Sequence, residues 1–297
     1  MSDRLHTDHT RLVEADGVST RVYEAGEGEA LVLIHGGGFG SLYSLDSWSL
    51  NLPSLARRFH VFTWDKLGQG HTGNPRRDGD YTFEALFRHA LAVLDELDTG
   101  PARFVGHSMG ALLATRIAFE RPELVRTLVI VDSNTTAPDD PRYPWTAFYS
   151  DLANKVPPGP PTLATVRMEP DAQSWSTEHV TADWVARLFA ISRLTTNREA
   201  AERVQALRDS VWMPSILAAR ARTLADIDEL GIPAPTLVVW AANDVSAPLP
   251  LGLALFDRIA ARTDEADLHV LARSGHYCFR ERPEAFERLI AGFCQDR

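Results

Sequence analysis

The chain has 297 residues, of which 44% are hydrophobic and 24% are charged, and it contains 19 Gly, 18 Pro and two Cys. This composition is typical of a globular protein and excludes collagen-like, disordered and disulfide-scaffold classes. The 40 acidic and 30 basic residues give a net charge of −10, which disfavours DNA or RNA as a partner because phosphates are repelled by an acidic surface. No stretch approaches the roughly 20 apolar residues that a membrane-spanning helix needs.

The two cysteines, Cys278 and Cys294, lie near the end of the chain without metal-ligand spacing. We therefore expect two reduced thiols, no metal or other cofactor, and a cytoplasmic protein. Residues 1–10 lack the apolar core of a secretory signal, which agrees with this location. Among closed assemblies a homodimer is favoured, although no sequence feature indicates an interface.

Short apolar runs rich in β-branched residues recur along the chain and alternate with helical patterns. The runs cover residues 31–35, 61–65, 104–105, 128–131, 236–240 and 268–271. Helical patterns cover residues 83–97 and 109–120 and the segment after Pro283. Near-continuous apolar strands separated by helices predict a mostly parallel sheet that is covered by helices on both faces.

This alternation breaks after Ser133. Seven prolines lie within residues 138–161 and exclude a continuous strand or helix there, and an amphipathic stretch follows to about residue 230. We predict a helical cap over residues 134–232, inserted between core segments 1–133 and 233–297. Four of the seven tryptophans lie in this insert, where they are expected to form the cap core, with some facing a ligand: Trp145, Trp175, Trp184 and Trp212.

The segment Gly106-His107-Ser108-Met109-Gly110 has the form G-x-S-x-G and stands between a predicted strand and a predicted helix. In that context it predicts a sharp turn that presents the Ser108 hydroxyl at the carboxyl end of the sheet. The structural alternative is that Ser108 serves only as a helix N-cap. A nucleophilic serine also needs a histidine base and a carboxylate that orients it, and both must come from elsewhere in the chain.

The base and the acid are expected on loops at the same edge of the sheet. His276 is the histidine that follows Ser108 in sequence and lies in a glycine-containing loop after a strand. Asp244 follows the penultimate strand, and Asp132 follows the strand immediately after the Ser108 helix. We prefer Asp244 as the acid because the loop after the penultimate strand is the usual donor in this arrangement, with Asp132 as its competitor.

A pair of backbone N–H groups is expected to bind the oxyanion. His35-Gly36-Gly37-Gly38 follows a predicted strand, and its glycines let the backbone approach a reacting carbonyl. We predict an oxyanion hole formed by the N–H of Gly37, or of Gly38, together with the N–H of Met109. A phosphate-binding role is disfavoured because the run lacks the G-x-G-x-x-G form and the lysine of a P-loop.

Taken in this order, the features resemble those of the α/β-hydrolase family over the whole chain. They are the HGGG run, the Asp65-to-Gly70 turn, G-x-S-x-G, the insert, Asp244 and His276. The resemblance implies an eight-stranded α/β-hydrolase fold and a cofactor-free serine hydrolase site between core and cap. Ser108 replaces the aspartate nucleophile found in the epoxide hydrolases and haloalkane dehalogenases of this fold.

Two local matches resemble a subfamily, the meta-cleavage-product hydrolases. They are H-G-G-G-x-G at residues 35–40, and Ser274-Gly275-His276-Tyr277 followed by Glu281. This resemblance implies hydrolysis of a carbon–carbon bond in a 2-hydroxy-6-oxo-dienoate, a ring-fission product of aromatic degradation. It also implies that a cap arginine, Arg187 here, engages the acidic end of the substrate, as a guanidinium can do bidentately.

The chain departs from that subfamily at three positions, which we expect to contact substrate. His107, Tyr277 and Phe39 stand where the subfamily usually has Asn, Trp and Pro. A carboxylesterase, lactonase or thioesterase acting on an apolar small molecule is therefore an alternative. A ligand-binding receptor of the hydrolase fold with little turnover is a second one.

Overall fold

The fold is described from a computed structural model, which covers residue 3 and residues 7–295. The described residues form an eight-stranded sheet. The strands are β1 (Thr10–Ala15), β2 (Val18–Ala25), β3 (Ala30–Ile34), β4 (His60–Trp64), β5 (Ala102–His107), β6 (Val125–Val131), β7 (Thr236–Ala241) and β8 (Ala266–Leu271). Their order across the sheet is β1-β2-β4-β3-β5-β6-β7-β8. The β1–β2 and β2–β4 pairs are antiparallel, and the remaining pairs are parallel.

The predicted mostly parallel α/β architecture is confirmed, and each of the six apolar runs corresponds to a strand, from β3 to β8. The apolar pattern does not single out β1 and β2. Strand β1 leaves most of its side chains at least partly exposed, and β2 mixes buried with exposed positions. Strand β1 is the edge strand and β2 is the antiparallel strand beside it, and an antiparallel strand with one solvated face does not need a continuous apolar run.

Helices cover both faces of the sheet. They are α1 (Leu52–Leu55), α2 (Phe83–Glu96), α3 (Met109–Glu120), α4 (Ala147–Lys155), α5 (Leu163–Gln173), α6 (Ala182–Ser192), α7 (Thr195–Ala206), α8 (Met213–Leu230), α9 (Leu249–Ala260), α10 (Cys278–Glu281) and α11 (Pro283–Gln295). Helices α2, α3, α8 and α9 pack on the face that includes Phe104 and Ile130. Helices α1, α10 and α11 pack on the face that includes Val105 and Val129, since successive strand residues point to opposite sides. Within the described ranges, no helix is long and apolar enough to cross a membrane.

The segment between β6 and β7 contains α4 to α8, which is the region predicted as an insert. Helix α4 lies between Pro144 and Pro157, so the prolines flank this helix and do not interrupt it. Helix α8 packs against α2, α3 and α9, and its Ile216 and Ile227 join the buried core under the sheet. Helix α8 is therefore a core helix, although it falls within the predicted cap range 134–232.

The two cysteines do not pair. Cys278 begins α10 and Cys294 lies in α11, and both are buried and free. Burial raises the pKa of the Cys278 thiol well above its usual value and that of Cys294 to about 11. Both thiols are therefore protonated and poorly nucleophilic near neutral pH.

The turn between β5 and α3 holds Ser108 in a left-handed conformation, with a φ angle of 53°. Residues with a side chain rarely adopt this conformation, and strained residues of this kind cluster at functional sites. The flanking glycines make the turn possible because a Cβ on Gly106 would lie 2.5 Å from the Gly110 oxygen. A Cβ on Gly110 would lie 2.3 Å from the backbone oxygen of Ile34. The start of α3 therefore contacts the backbone of β3 directly, and Ser108 lies at the carboxyl edge of the sheet.

A Gly110→Ala variant tests this close contact. We expect its free energy of unfolding to fall by about 1–3 kcal/mol, because the added methyl group forces the backbone of α3 away from β3. The matched control is Gly292→Ala in α11, where an added Cβ meets nothing within 4 Å. That variant should gain about 0.5–1 kcal/mol from helix propensity. Denaturant titration measures both values, and equal stability of the two variants would contradict this account of the turn.

Candidate active site

Three of the predicted residues lie at the same edge of the sheet. Ser108 follows β5, Asp244 follows β7 and His276 follows β8, and these strands run parallel to one another. The carboxyl ends of parallel strands meet at one edge, where open α/β sheets bind ligands. All three side chains are buried, with 6% or less of their surface exposed.

His276 is oriented by Asp244. The Nδ1 atom of His276 lies 2.6 Å from Oδ2 of Asp244. The other carboxylate oxygen accepts hydrogen bonds from the Ser246 N–H, the Ser246 hydroxyl and the Ala247 N–H, at 2.7–2.8 Å. Because the carboxylate accepts the Nδ1 proton, Nε2 of the neutral ring is left without a proton and can act as a base.

The charge of Asp244 also sets the proton affinity of His276. Burial lowers the pKa of His276, but the charge and hydrogen bond of Asp244 outweigh this effect and bring the pKa above its usual value. A base with a raised pKa takes a proton from a serine hydroxyl more readily than a free imidazole does. The pair therefore has the properties of the base and acid of a serine hydrolase.

Asp132, the competing acid, does not contact His276 through a hydrogen bond. It accepts hydrogen bonds from the Ala241 N–H, at 2.7 Å, and from the Cys278 thiol. Burial and the neighbouring charge of Asp244 raise the pKa of Asp132 well above its usual value. The geometry thus favours Asp244 over Asp132 as the residue that orients the base.

A cavity of about 760 Å³ opens at this edge, of the size of a small-molecule site. It is lined by Ser108 and His276 and by six further residues named from the sequence: Gly37, Gly38, Phe39, His107, Met109 and Tyr277. Trp145 and Trp212 also line it, whereas Trp184 is fully buried and Trp175 is 56% exposed. Among the described residues, no cluster of three His, Cys, Asp or Glu side chains is arranged to hold a metal ion.

The geometry around Ser108 is suitable for binding an oxyanion. Met109 is the first residue of α3, so its N–H has no partner within the helix and lies at the positive end of the helix dipole. On the other side of Ser108, the HGGG run approaches closely, because a Cβ on Gly36 would lie 3.0 Å from the Cβ of Ser108. The backbone of this run and the N–H of Met109 therefore flank the nucleophile.

His107 joins the nucleophile turn to the loop that carries the base. Its Nε2 lies 2.9 Å from the backbone oxygen of His276, and since a carbonyl only accepts, Nε2 carries the proton. Burial and the neighbouring His276 lower the pKa of His107 well below its usual value. The His107 ring is therefore neutral, and its Nδ1 is a hydrogen-bond acceptor beside the cavity.

The structure does not bring Arg187 into the cavity. Its guanidinium donates to the backbone oxygen and the carboxylate of Asp3, and to the hydroxyl of Ser49. Asp3 also pairs with the fully buried Arg280. Because Arg187 is held by an acid of this chain, the expectation that it faces the substrate is not supported by its contacts.

Gln173, at the end of α5, is a site residue that the sequence did not indicate. Its backbone oxygen accepts the N–H of His276 at 2.8 Å. Its side-chain amide donates to Ser246, which itself donates to Asp244, and accepts a hydrogen bond from the hydroxyl of Tyr277. One residue from the insert therefore contacts the loops of both the acid and the base.

Glu169, one turn before Gln173 in α5, is a second residue that the sequence did not indicate. It lines the cavity and is half-buried. Burial raises the pKa of Glu169 above its usual value, although Tyr43 and His276 act in the opposite direction. An isolated glutamate in a helix carries no motif, so only its position beside the cavity gives it significance.

Known proteins resemble this chain over nearly its full length. A model of the alpha/beta hydrolase family matches residues 31–289. A 2-hydroxymuconate semialdehyde hydrolase from Pseudomonas putida is 31% identical over 293 residues, which cover 95% of this chain and 93% of the relative. One from Pseudomonas sp. strain CF600 is 29% identical over 283 residues, with coverage of 95% and 93%. The solved structure of the meta-cleavage product hydrolase CumD from Pseudomonas fluorescens IP01 matches with a TM-score of 0.77 at 25% identity, over 96% of this chain and 97% of that one.

The chain belongs to the alpha/beta hydrolase family. Its relatives include enzymes named as hydrolases of meta-cleavage products, so the resemblance seen in the sequence motifs is confirmed. The fold and the arrangement of Ser108, Asp244 and His276 agree with this membership.

Asparagine substitutions distinguish the two acids. We expect Asp244→Asn to lower kcat by about 10⁴-fold, because an amide neither holds the base in its tautomer nor stabilises its charged form. Asp132→Asn, the same chemical change, should lower kcat less than about 10-fold, because Asp132 does not orient His276. Steady-state kinetics of the two variants test this, and a larger loss at Asp132 would transfer the role to it.

The pH profile provides a second measurement on the same variants. His276 must be neutral to act as a base, so kcat/KM of the native enzyme should rise with pH. The midpoint is expected above the usual histidine pKa of about 6.5, since Asp244 raises the pKa of His276. In Asp244→Asn the midpoint should move to lower pH, because the charge that favours the protonated ring is gone; an unmoved midpoint would argue against this pairing.

Proposed function

We propose that the protein is a serine-dependent hydrolase that cleaves a carbon–carbon bond in a 2-hydroxy-6-oxo-dienoate-type ring-fission product. The observation that carries the proposal is the 2.6 Å contact between Asp244 and His276, with His276 lining the same cavity as Ser108. The substrate class is supported by relatives named 2-hydroxymuconate semialdehyde hydrolase. Catalytic roles are assigned to Ser108 as nucleophile, His276 as base and Asp244 as its orienting acid.

In this mechanism His276 takes a proton from Ser108 or from a water molecule, and the oxygen that loses it attacks the substrate carbonyl. The carbonyl oxygen becomes an oxyanion, stabilised by the N–H groups of Met109 and of Gly38 or Gly37. His276 then gives its proton to the leaving group, and where Ser108 attacked, a water molecule deprotonated by His276 hydrolyses the resulting serine ester. With a dienoate, His276 first helps the enol become a ketone, so that the carbon leaving group departs as a stabilised anion and is protonated.

The insert is proposed to act as a cap over this site. Helix α5 contributes Glu169 and Gln173 to the cavity wall. Since α8 packs in the core, we propose that the cap covers residues 134–212 and that the core comprises 1–133 and 213–297. We also propose a cytoplasmic location, where free thiols such as Cys278 and Cys294 stay reduced.

The charges around the cavity favour a second candidate, a carboxylesterase, lactonase or thioesterase for a neutral substrate. Of the Lys and Arg residues in the described part of the chain, Arg208 alone lines the cavity, and its Nη1 lies 2.7 Å from an oxygen of Asp209. Glu169 adds an acidic group to the wall. A carboxylate substrate needs a compensating charge or hydrogen bonds when it leaves water, whereas a neutral ester does not.

Ser108→Ala tests the nucleophile and the substrate class together. The native enzyme should bleach a coloured 2-hydroxy-6-oxo-dienoate faster than it releases nitrophenol from nitrophenyl esters, and Ser108→Ala should reduce either activity by about 10³-fold or more. Equilibrium binding of the dienoate should survive in this variant, because the hydroxyl is used in the chemical step. Retained turnover would exclude Ser108 as the nucleophile, and faster ester hydrolysis would favour the second candidate.

Labelling by a fluorophosphonate separates these enzymes from a receptor of the same fold. The reagent reacts with an activated serine, so we expect rapid labelling of the native protein and none of Ser108→Ala. Labelling without turnover of any dienoate or ester would favour the receptor.

Glu169→Gln tests how the cavity treats an anionic substrate. Because its pKa is raised, Glu169 keeps its proton to higher pH than an ordinary glutamate. The KM of the native enzyme for a dienoate should therefore rise with pH as Glu169 ionises and repels the substrate. In Glu169→Gln this rise should vanish, while KM for a neutral ester changes in neither protein. The matched control is Glu178→Gln, at an exposed position of the insert, and a rise that persists in Glu169→Gln would contradict the role of this acid.

A further inference from the structure

Lys66 is a buried base for which the hydrolytic steps above give no role. It follows β4 by two positions, in the Asp65-to-Gly70 turn, and only 1% of its surface is exposed. Of the 30 basic residues in the chain, only Lys66 and Lys155 are lysines. Burying an ammonium group costs free energy unless it is paired, so its presence calls for a physical reason.

The contacts of Lys66 are with the HGGG run. Its Nζ donates to the backbone oxygen of Gly37 at 2.6 Å, and its backbone N–H donates to Nε2 of His35. Gln69, from the same turn, donates to the backbone oxygen of Gly36. Among the described residues, no carboxylate forms an ion pair with Lys66, and burial alone accounts for its lowered pKa of about 7.

The contact of Nζ with the Gly37 oxygen is related to the direction of the Gly38 N–H, because both groups belong to one peptide. The peptide that joins Gly37 to Gly38 is trans, so its C=O and N–H point in opposite directions. Lys66 donates to this oxygen and does not line the cavity, whereas Gly38 does. The N–H of Gly38 therefore points away from Lys66, and it belongs to a residue that lines the same cavity as Ser108.

We propose that Lys66 is a positioning residue of the oxyanion hole: its Nζ holds and polarises the Gly37–Gly38 peptide, so that the Gly38 N–H is a stronger donor to the oxyanion. This inference rests on the proposed serine mechanism and selects Gly38 over Gly37 as the second donor. Hydrogen bonds in a chain polarise one another, and in a buried site this effect is not weakened by water.

The groups that face Lys66 leave its charge uncompensated. His35 and His107 both interact with it electrostatically, and burial lowers the pKa of each well below its usual value. Both rings are therefore neutral near pH 7. With a pKa of about 7, Lys66 loses its proton as the pH rises through neutrality, so the assistance from its charge should decline above about pH 7.

The test compares Lys66→Met with Lys155→Met, the same change at the exposed lysine of α4. A fluorophosphonate is the probe: Ser108 Oγ bonds to phosphorus, fluoride leaves with the bonding pair and His276 takes the hydroxyl proton. We expect the labelling rate constant of Lys66→Met to fall roughly 10- to 100-fold, below the full effect of deleting an oxyanion donor. Reversible binding of the probe should not change, the alkaline decline should disappear, and Lys155→Met should behave as the native enzyme.

Thermal stability separates positioning from a structural role. Replacing an unpaired buried charge by an apolar side chain of similar size should leave the melting temperature unchanged or raise it. A native labelling rate in folded Lys66→Met would overturn the inference. So would failure of both Lys66→Met and Lys66→Gln to fold, because it would show that Lys66 is needed for structure. If the native enzyme is not labelled at all, the serine mechanism itself is wrong and this inference is withdrawn with it.

Discussion

The left-handed turn at Ser108 is the constraint on which the rest of the site depends. A residue with a φ of 53° follows a buried strand and begins a buried helix, and this is possible only because Gly106 and Gly110 leave room for the backbone of α3 beside β3. The same turn leaves the N–H of Met109 without a helical partner. The proposed nucleophile and one proposed oxyanion donor are thus positioned by a single feature of the backbone.

The other parts of the site are arranged around that turn by loops from the same edge of the sheet. The loops after β7 and β8 supply Asp244 and His276. The Asp65-to-Gly70 turn after β4 is fixed by the buried carboxylate of Asp65, which accepts hydrogen bonds from Arg21, Leu45 and His71. Lys66 and Gln69 of the Asp65-to-Gly70 turn donate hydrogen bonds to backbone oxygens of the HGGG run. Catalytic geometry here relies on buried hydrogen bonds between loops, which hold reacting groups within small tolerances.

The insert contributes to the chemistry as well as to the enclosure of the cavity. Gln173 connects the insert to the base through a backbone oxygen and to the acid through Ser246. A displacement of α5 would therefore change both the cavity wall and the support of His276. The charged side chains do not favour recognition of an anionic substrate. Arg187 is paired with Asp3, and the acidic Glu169 faces the cavity. Backbone N–H groups and Arg208, which lines the cavity beside Asp209, are then available to a carboxylate.

The amino-acid sequence by itself determined six strands and the turn at Ser108, and it indicated the candidate nucleophile, acid and base. These features depend on local patterns: continuous apolar runs, glycines beside a serine, and polar residues directly after strands. It also indicated the HGGG run as a backbone close to the reacting atoms. Strands β1 and β2 were not indicated because they mix exposed with buried positions and so form no continuous apolar run.

Only the tertiary structure decided which acid contacts the base and which way the cap side chains point. Asp132 and Asp244 each follow a strand in the sequence. What distinguishes them is the contact of Asp244 with His276, which lies 32 residues further along the chain. Arg187 is held by Asp3, 184 residues away in the chain, and Gln173 contacts Tyr277, 104 residues away. Lys66, in the turn after β4, donates a hydrogen bond to the backbone oxygen of Gly37, in the loop after β3. Pairings of this kind are set by packing in three dimensions, and no short-range pattern in one chain encodes them.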